Sequence, residues 1–419
     1  MADMSIQIGT RLLEDHTITC PLTEDPADGR TIDVFARVIT PRGGEDLPFL
    51  VFLQGGPGNE SPALFPSWMT TALARHRVVL LDQRGTGRST PVAPESATAE
   101  YLTHLRADAI VRDCEAMREH LGAKTWSVLG QSFGGFTLLH YLTVHPESVD
   151  NAYFTGGLAP VGHRAEDIYA TTFAELRRKS LAYYTRFPHH RDAVAKLVEL
   201  AAGGELVLPD GEVVSVSRVR SLGMLLGSND GWLSLFNLLE QDPRTTAFRH
   251  DLAALLPFGA RNPLYYVLHE SSMADGVVTD WAAERAMPTD FAEDPTLLTG
   301  EHVSREWLET VPGLRPWAPV ARELAGQPWN HLYDPVALEE SGARGAAAVY
   351  VNDAYVPLEY SRETAGFLPG VRTWVTSEHE HNGLRASDGA VLARLFELAD
   401  GTRQLSDGVQ QLAGGAQQL

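Results

Sequence analysis

The chain has 419 residues, of which 44% are hydrophobic and 21% charged, and its formal net charge is −20. This composition is that of a globular protein with a sizeable core, and the length allows two or three domains or one domain with a large insertion. The negative charge disfavours a phosphate-binding surface, so nucleic acid is not an expected partner. No apolar run is as long as a membrane span, and the acidic N-terminus has no basic leader segment, so we expect a cytoplasmic protein without a membrane partner.

The first part of the chain alternates between predicted strands and helices. Residues 5–54 are strand-rich: 31–39 alternates polar and apolar residues as a half-buried strand does, and 48–53 is an apolar run typical of a buried central strand. Further strands are predicted at 77–81, 126–129 and 151–155, and helices at 105–121 and 136–144. Strands that alternate with helices indicate an α/β fold with a mostly parallel sheet covered on both faces.

After about residue 160 this alternation stops. Helical patterns, aromatic residues and scattered prolines follow, with helices predicted at 173–187, 193–202, 222–239 and 281–285. Strands return at 345–351 and 372–376, followed by a closing helix at 389–398 and a Gln/Gly-rich tail from 401 that we expect to fray. We therefore predict a core formed by residues 1–159 and 330–419, with a mainly helical domain inserted over residues 160–329, called the cap below.

No cofactor or metal is expected from the sequence. Cys20 and Cys114 form no metal-binding spacing, and Cys114 lies in a predicted helix where a buried thiol is expected. His379 and His381 would face the same side of an extended chain, but no third ligand has a recognisable spacing. Most other histidines, such as His189, His190 and His250, are expected at the surface.

The most informative motif is Gly-Gln-Ser-Phe-Gly at residues 130–134, a G-x-S-x-G sequence between a predicted strand and an apolar helix. In a strand–turn–helix setting this motif holds its serine at the apex of a strained turn, and the glycines allow strand and helix to approach closely. The pattern therefore predicts that Ser132 is the exposed nucleophile of a hydrolase or an acyl transferase.

A serine nucleophile needs a general base, and the base needs a third group that orients it. In this setting the chain order is serine, acid, histidine. Asp353 directly follows the strand at 345–351 and is the preferred acid, while Asp334 and Glu359 are weaker alternatives. The base is His379 or His381; both follow the strand at 372–376, and their spacing does not separate them.

Acyl transfer also needs donors for the negative charge that develops on the carbonyl oxygen. In this strand–turn–helix setting one donor is the backbone N–H of the residue after the nucleophile, here Phe133. The other comes from the loop after an early central strand, where Gly-Gly-Pro-Gly stands at residues 55–58. The loop is thus interpreted as part of an oxyanion hole.

Taken together, the sequences Leu-Gln-Gly-Gly-Pro-Gly at 53–58, Asp-Gln-Arg-Gly-Thr-Gly-Arg-Ser at 82–89 and Gly-Gln-Ser-Phe-Gly-Gly at 130–135 resemble the proline iminopeptidases of the α/β-hydrolase fold. The resemblance extends through Asp353 and His-Asn-Gly at 381–383. It implies that Ser132 is the nucleophile, Asp353 the acid and His381 the base, in preference to His379. It also implies that Gly56 and Phe133 are the oxyanion donors.

The resemblance further implies an activity: release of an N-terminal residue, typically proline, from a peptide through an acyl-enzyme. Acidic cap residues would bind the free amine of the substrate, and Glu270 and Glu301 are the candidates. Gln54 stands where many members have histidine, but the oxyanion hole should survive because its donors are backbone groups. Two alternatives stay open: an esterase, lactonase or acyl transferase that acts on a small metabolite with the same triad, and a non-catalytic binding protein on this scaffold.

Overall fold

The structure is a computed structural model that describes residues 5–62 and 65–401. Its strands, in chain order, are β1 (Ser5–Ile8), β2 (Arg11–Pro21), β3 (Thr31–Pro41), β4 (Phe49–Leu53), β5 (Arg77–Asp82), β6 (Trp126–Gln131), β7 (Val149–Thr155), β8 (Gly345–Tyr350) and β9 (Val371–Thr376). They form one sheet in the order β1-β2-β3-β5-β4-β6-β7-β8-β9. All pairings from β5 to β9 are parallel, whereas β1, β2 and β3 form an antiparallel edge. The predicted α/β fold with a mostly parallel sheet is therefore confirmed.

The helices before and after the cap are α1 (Met69–Leu73), α2 (Ala99–Thr103), α3 (Ala107–His120), α4 (Phe133–Val144), α15 (Pro335–Glu340), α16 (Leu358–Gly366), α17 (Gly383–Ala386) and α18 (390–401). Those of the cap are α5 (Ala165–Arg186), α6 (His189–Ala202), α7 (Val216–Arg220), α8 (Gly231–Leu239), α9 (Thr246–Leu255), α10 (Pro263–Val267), α11 (Ala282–Arg285), α12 (Thr289–Glu293), α13 (Trp307–Thr310) and α14 (Ala318–Ala325). The predicted tail beyond residue 401 lies outside the described residues.

Helices cover both faces of the sheet because successive side chains of a strand point to opposite sides. In β4, Leu50 and Phe52 pack in the apolar cluster that contains α1 and α18, while Val51 and Leu53 belong to the cluster that contains α3 and α4. Cys114 lies in the second cluster and is fully buried, as expected from the sequence. A sheet buried on both faces holds the loops at its strand ends rigidly, and the candidate site is built from those loops.

The cap packs around apolar clusters of its own, and its predicted helix at 222–239 is wrong as a single element. A 3₁₀ helix covers Ser221–Gly227, and α8 begins only at Gly231. A Cβ at Gly231 would collide with the carbonyl oxygen of Leu225, so only glycine fits at the start of α8. His190, expected at the surface, is also buried. The cap limits of 160 and 329 stay a prediction.

Within the 82–89 motif, Arg84 has a structural function. Its guanidinium makes two hydrogen bonds to Asp113 of α3, at 2.8 and 2.6 Å, and both side chains are almost completely buried. A third nitrogen donates to the carbonyl oxygens of Leu22 and His104. Arg84 thus joins the loop after β5 to α3 and to the end of β2.

We expect Arg84→Met to lower the free energy of unfolding by about 3–5 kcal/mol, because Asp113 is left as a buried charge without its partner. Urea unfolding followed by circular dichroism measures this loss. Arg75→Met is the matched control: Arg75 pairs with Asp400 at the surface, and exposed pairs contribute about 1 kcal/mol or less. Equal losses in both variants would contradict the assignment.

Candidate active site

Ser132 lies between β6 and α4 with φ 52° and ψ −126°, a conformation that L-residues rarely adopt. The neighbouring glycines explain how the turn fits: a Cβ at Gly134 would collide with the carbonyl oxygen of Leu53, and one at Gly130 would lie 2.6 Å from the carbonyl oxygen of Gly134. Only residues without a Cβ allow β4, β6 and α4 to approach this closely. The G-x-S-x-G motif is therefore the sequence signal of a tight turn with the serine at its apex.

Asp353 and His381 form a hydrogen-bonded pair beside this turn. Asp353 follows β8 and His381 follows β9, and the distance from Asp353 Oδ2 to His381 Nδ1 is 2.8 Å. The other carboxylate oxygen, Oδ1, accepts the backbone N–H groups of Tyr355 and Val356, both at 2.9 Å. These two bonds fix the carboxylate so that Oδ2 faces the imidazole, which leaves Nε2 as the ring nitrogen available to another group.

None of the alternative acids and bases takes part in this pair. Asp334 caps α15, where its carboxylate accepts N–H groups at the helix start. Glu359 lies in the first turn of α16 and is exposed. His379 is half-buried, and no hydrogen-bond partner of its Nδ1 is found among the described residues. Of the two candidate bases, His381 alone contacts the acid.

The Gly-rich loop after β4 lies directly against Ser132. A Cβ at Gly55 would approach Ser132 Cβ to 2.8 Å, and Gly56 has φ 64°. The side chain of Asn59 donates to the carbonyl oxygens of Gly55 and Gly56 at 3.2 and 3.4 Å, which holds the turn from inside. Phe133 is the first residue of α4, so its N–H has no acceptor within that helix.

A cavity of about 470 Å³ opens above Ser132 and contains His381 and Gly56 in its wall. The remaining wall is a mixture of apolar and polar residues from core and cap: Gln54, Gly55, Asn59, Gln131, Met224, Leu225, Gly227, Ser228, Ala254, Leu255, Leu256, Pro257, Phe258, Tyr265, Glu301, Tyr355, Asn382 and Arg385. Glu301 is thus a cap carboxylate that lines the same cavity as Ser132, and it accepts a hydrogen bond from the hydroxyl of Tyr265.

Glu270 does not line this cavity, contrary to the expectation from the sequence. It is buried elsewhere in the cap, where its carboxylate accepts the N–H groups of Ala282 and Ala283 at 3.1 and 3.0 Å. These are the first residues of α11, and their N–H groups have no acceptor within that helix. Glu270 therefore caps the start of α11. Burial raises the pKa of Glu270, although these two bonds oppose the shift.

The surroundings of His381 favour a charged imidazole. Burial alone lowers the pKa of His381, but the charge of Asp353 and its hydrogen bond raise it more, and Glu301 adds to the increase while Arg385 opposes it. The net pKa lies above the ordinary value of 6.5. A higher pKa makes the imidazole a stronger proton acceptor, and it moves the loss of the neutral base on acidification to higher pH than for an ordinary histidine.

The loop that carries His381 is held by the cap as well as by the core. The N–H of His381 donates to the carbonyl oxygen of Gly227 at 3.1 Å, and the N–H of Glu380 donates to Asn229 Oδ1 at 2.9 Å. The buried Lys179 of α5 contacts Glu380, with 2.6 Å between Nζ and Oε2. The position of the base thus depends on the cap.

We expect Lys179→Met to lower kcat about 10- to 100-fold with little change in KM, because small displacements of a base are costly and the substrate contacts stay in place. Steady-state kinetics on a prolyl-arylamide separates the two constants. Lys196→Met is the control, since Lys196 is exposed and pairs only with its neighbour Glu199. A rise in KM at unchanged kcat would contradict this function of Lys179.

Sequence reasoning missed several residues of the site. Asn59 and Tyr355 each lie within four residues of a recognised motif, and this closeness in sequence could have indicated them. Tyr265, Phe258 and Lys179 lie in the cap, and no motif marks them. The hydroxyl of Tyr355 also donates to the carbonyl oxygen of Met224, a second contact between the acid loop and the cap.

The chain is similar in sequence to known proteins. Residues 48–208 match the alpha/beta hydrolase fold family. A proline iminopeptidase of Aeromonas sobria is 39% identical over 92% of this chain and 96% of its own length. Proline iminopeptidase aneH of Aspergillus aculeatus is 28% identical over 91% of this chain and 92% of its own length. The structure of a Mycobacterium smegmatis proline iminopeptidase has a TM-score of 0.44 and 17% identity, and the match covers 92% of this chain and 99% of that one.

The expected α/β-hydrolase fold is confirmed by the match to the fold family. Within residues 5–62 and 65–401, no helix is long and apolar enough to cross a membrane.

Proposed function

The chain belongs to the proline iminopeptidase family and is a serine hydrolase of the prolyl aminopeptidase type, and from this premise we propose how its own residues carry out the reaction. The substrate is a peptide with a free N-terminal amine, and the N-terminal residue, preferentially proline, is released. The observation that carries the proposal is the hydrogen bond between Asp353 and His381, together with the cavity that His381, Ser132 and Glu301 line.

The first half of the reaction forms an acyl-enzyme. His381 Nε2 takes the proton of the Ser132 hydroxyl, and Ser132 Oγ attacks the carbonyl carbon of the N-terminal residue. Asp353 holds the Nδ1–H of the imidazole and stabilises the imidazolium that forms. The same imidazolium then protonates the leaving amine of the shortened peptide. A water molecule, deprotonated by His381, attacks the acyl-enzyme. The imidazolium then returns the proton to Ser132 Oγ as the bond between this oxygen and the acyl carbon breaks, and the free amino acid is released.

The backbone N–H groups of Gly56 and Phe133 stabilise the oxyanion of both tetrahedral intermediates. Preset backbone donors contribute a few kcal/mol to such a transition state because they need no reorganisation when charge develops. The positions of the two residues support this function. Gly56 lines the cavity, and Phe133 directly follows the nucleophile at the start of α4.

Glu301 binds the substrate amine, and the apolar wall beside it accepts the proline ring. The amine of an N-terminal proline is a charged secondary ammonium, and a partly buried carboxylate gives it a charge-assisted hydrogen bond. Phe258 and Leu255 line the same cavity and offer apolar surface to the pyrrolidine ring. A substrate without a free amine would leave Glu301 unpaired in this cavity, which disfavours simple esters.

We expect Glu301→Gln to raise KM for proline arylamides at least 10-fold and to leave KM for a neutral ester of the same size nearly unchanged. The acid limb of kcat/KM should move to lower pH, because the Glu301 charge contributes to the raised pKa of His381. Parallel pH–rate profiles on both substrates measure the two effects.

Glu270→Gln distinguishes the two cap carboxylates. Since Glu270 caps α11 outside the cavity, its substitution should lower the thermal stability and leave KM for amine substrates unchanged. A large rise in KM in this variant, with none in Glu301→Gln, would reverse the assignment. Equal effects of Glu301→Gln on amines and neutral esters would instead favour the esterase alternative.

A further inference from the structure

The wall of the cavity above Ser132 carries charges of both signs. Of the described residues that line it, Glu301 is the one carboxylate and Arg385, from α17, is the one guanidinium. The proposed reaction uses Glu301 and His381 but gives Arg385 no function. A cavity with a carboxylate and a guanidinium in its wall is complementary to a ligand that carries an ammonium and a carboxylate.

Arg385 has a fixed backbone and a free side chain. Its N–H donates to the carbonyl oxygen of Asn382 at 2.9 Å, and its own carbonyl oxygen accepts the hydroxyl of Ser67 at 2.9 Å. The neighbouring Leu384 is fully buried in the core. Arg385 itself is exposed, and within residues 5–62 and 65–401 its guanidinium has no ion pair, hydrogen bond or aromatic contact. The guanidinium is thus available to a ligand in the cavity.

Arg385 lies near the base of the reaction. It follows His381 by four residues, the chain turns between them, and both residues line the cavity. The charge of Arg385 lowers the pKa of His381, in opposition to the charges of Asp353 and Glu301. In the proposed reaction His381 protonates the leaving amine, so the substrate residue that carries this amine lies beside His381. The C-terminal carboxylate of a short peptide is therefore directed toward Arg385.

We propose that Arg385 binds the C-terminal carboxylate of the substrate, so that peptides of two or three residues are preferred. This inference rests on the proposed function and adds the substrate class to it. A guanidinium gives a carboxylate two parallel charge-assisted hydrogen bonds, which an uncharged C-terminal amide cannot accept in the same way. An extended residue spans at most about 3.6 Å, so each further residue carries the carboxylate away from a side chain in the wall of the same cavity.

Proline release from peptides that differ only at the C-terminus tests the proposal. Pro-Ala and Pro-Ala-Ala are compared with their C-terminal amides, which have nearly the same shape without the negative charge, and the released proline is measured by chromatography. For the parent protein we expect kcat/KM to be about 10-fold or more higher for the free acid than for the amide in at least one of the two pairs. A hexapeptide of one proline and five alanines should differ from its amide by less than about 3-fold, because its carboxylate lies outside the cavity.

Substitution of Arg385 should remove this preference. In Arg385→Met the free acid and the amide should have the same kcat/KM within about 2-fold, and in Arg385→Glu the amide should be the better substrate. Loss of the Arg385 charge also changes the pKa of His381, but that change affects both substrates alike and leaves their ratio unchanged. Arg362→Met is the matched control, since Arg362 is also exposed but does not line the cavity. Its ratio should equal that of the parent protein.

The outcomes separate this proposal from the proposed function. If the parent protein hydrolyses a prolyl-arylamide but has equal kcat/KM for acid and amide in both pairs, the proposal is overturned and the proposed function stands. A preference that persists in Arg385→Met overturns the proposal as well. So does faster release from Pro-Asp amide than from Pro-Asn amide without a preference for free acids, since Arg385 would then bind an acidic side chain. A parent protein that releases no proline from the arylamide refutes the proposed function itself.

Discussion

Ser132→Ala is expected to reduce kcat for a prolyl-arylamide by a factor on the order of 10⁴–10⁶ and to leave the fold intact. Without the Ser132 hydroxyl no acyl-enzyme can form, and His381 has no nucleophile to activate. The remaining rate enhancement comes only from binding of the transition state. Alanine keeps the Cβ and the backbone conformation of the turn. The thermal unfolding midpoint of Ser132→Ala should therefore lie within about 2 °C of that of the parent protein, since no buried contact of the hydroxyl is lost.

Ser132→Gly makes this test sharper. At φ 52° and ψ −126° a residue with a Cβ is strained by about 1–3 kcal/mol, and glycine relieves that strain. The glycine variant should be as inactive as the alanine variant but more stable in urea unfolding. Near-normal turnover in either variant would refute Ser132 as the nucleophile. A glycine variant less stable than the alanine variant would refute the strained turn.

The strands of the core and the motifs at their ends could be predicted because each carries a local signal. A buried strand such as β4 is an apolar run, and the loop after it is marked by consecutive glycines. In a parallel sheet the carboxyl ends of strands meet at one edge, so motifs far apart in sequence are brought together without further information. The order serine, acid, histidine came from the strand–turn–helix motif, and the structure brings Asp353 and His381 into contact.

The cap could not be predicted at the same level because its geometry depends on packing between distant segments. Glu270 and Glu301 are both candidate amine ligands from the sequence, yet one caps α11 and the other lines the cavity. A 3₁₀ helix at Ser221–Gly227 and the start of α8 at Gly231 replace what a helical pattern predicts as one helix. Because we propose that Glu301 binds the substrate amine, the choice of substrate depends on cap contacts that the sequence does not reveal.

Substitution of the acid, Asp353, should also have a large effect on turnover. Asp353→Asn is expected to lower kcat about 10⁴-fold at neutral pH. The reason lies in the two oxygens of the carboxylate. Oδ1 accepts the N–H groups of Tyr355 and Val356, so the asparagine carbonyl oxygen must occupy that position. The amide nitrogen then faces Nδ1 of His381 and donates to it. The imidazole is thereby fixed in the tautomer with its proton on Nε2, and this nitrogen can no longer accept the proton of Ser132.

Two measurements distinguish this tautomer effect from simple loss of charge. Since Asp353 raises the pKa of His381, the imidazole of the variant should titrate at lower pH, and the acid limb of kcat/KM should move down with it. Proton NMR of the resting enzyme should also lose the downfield Nδ1–H resonance of the Asp353–His381 hydrogen bond. Asp334→Asn is the matched control, because an asparagine side-chain oxygen still caps α15. If Asp353→Asn kept more than about a tenth of the parent kcat, Asp353 would not be the residue that orients His381.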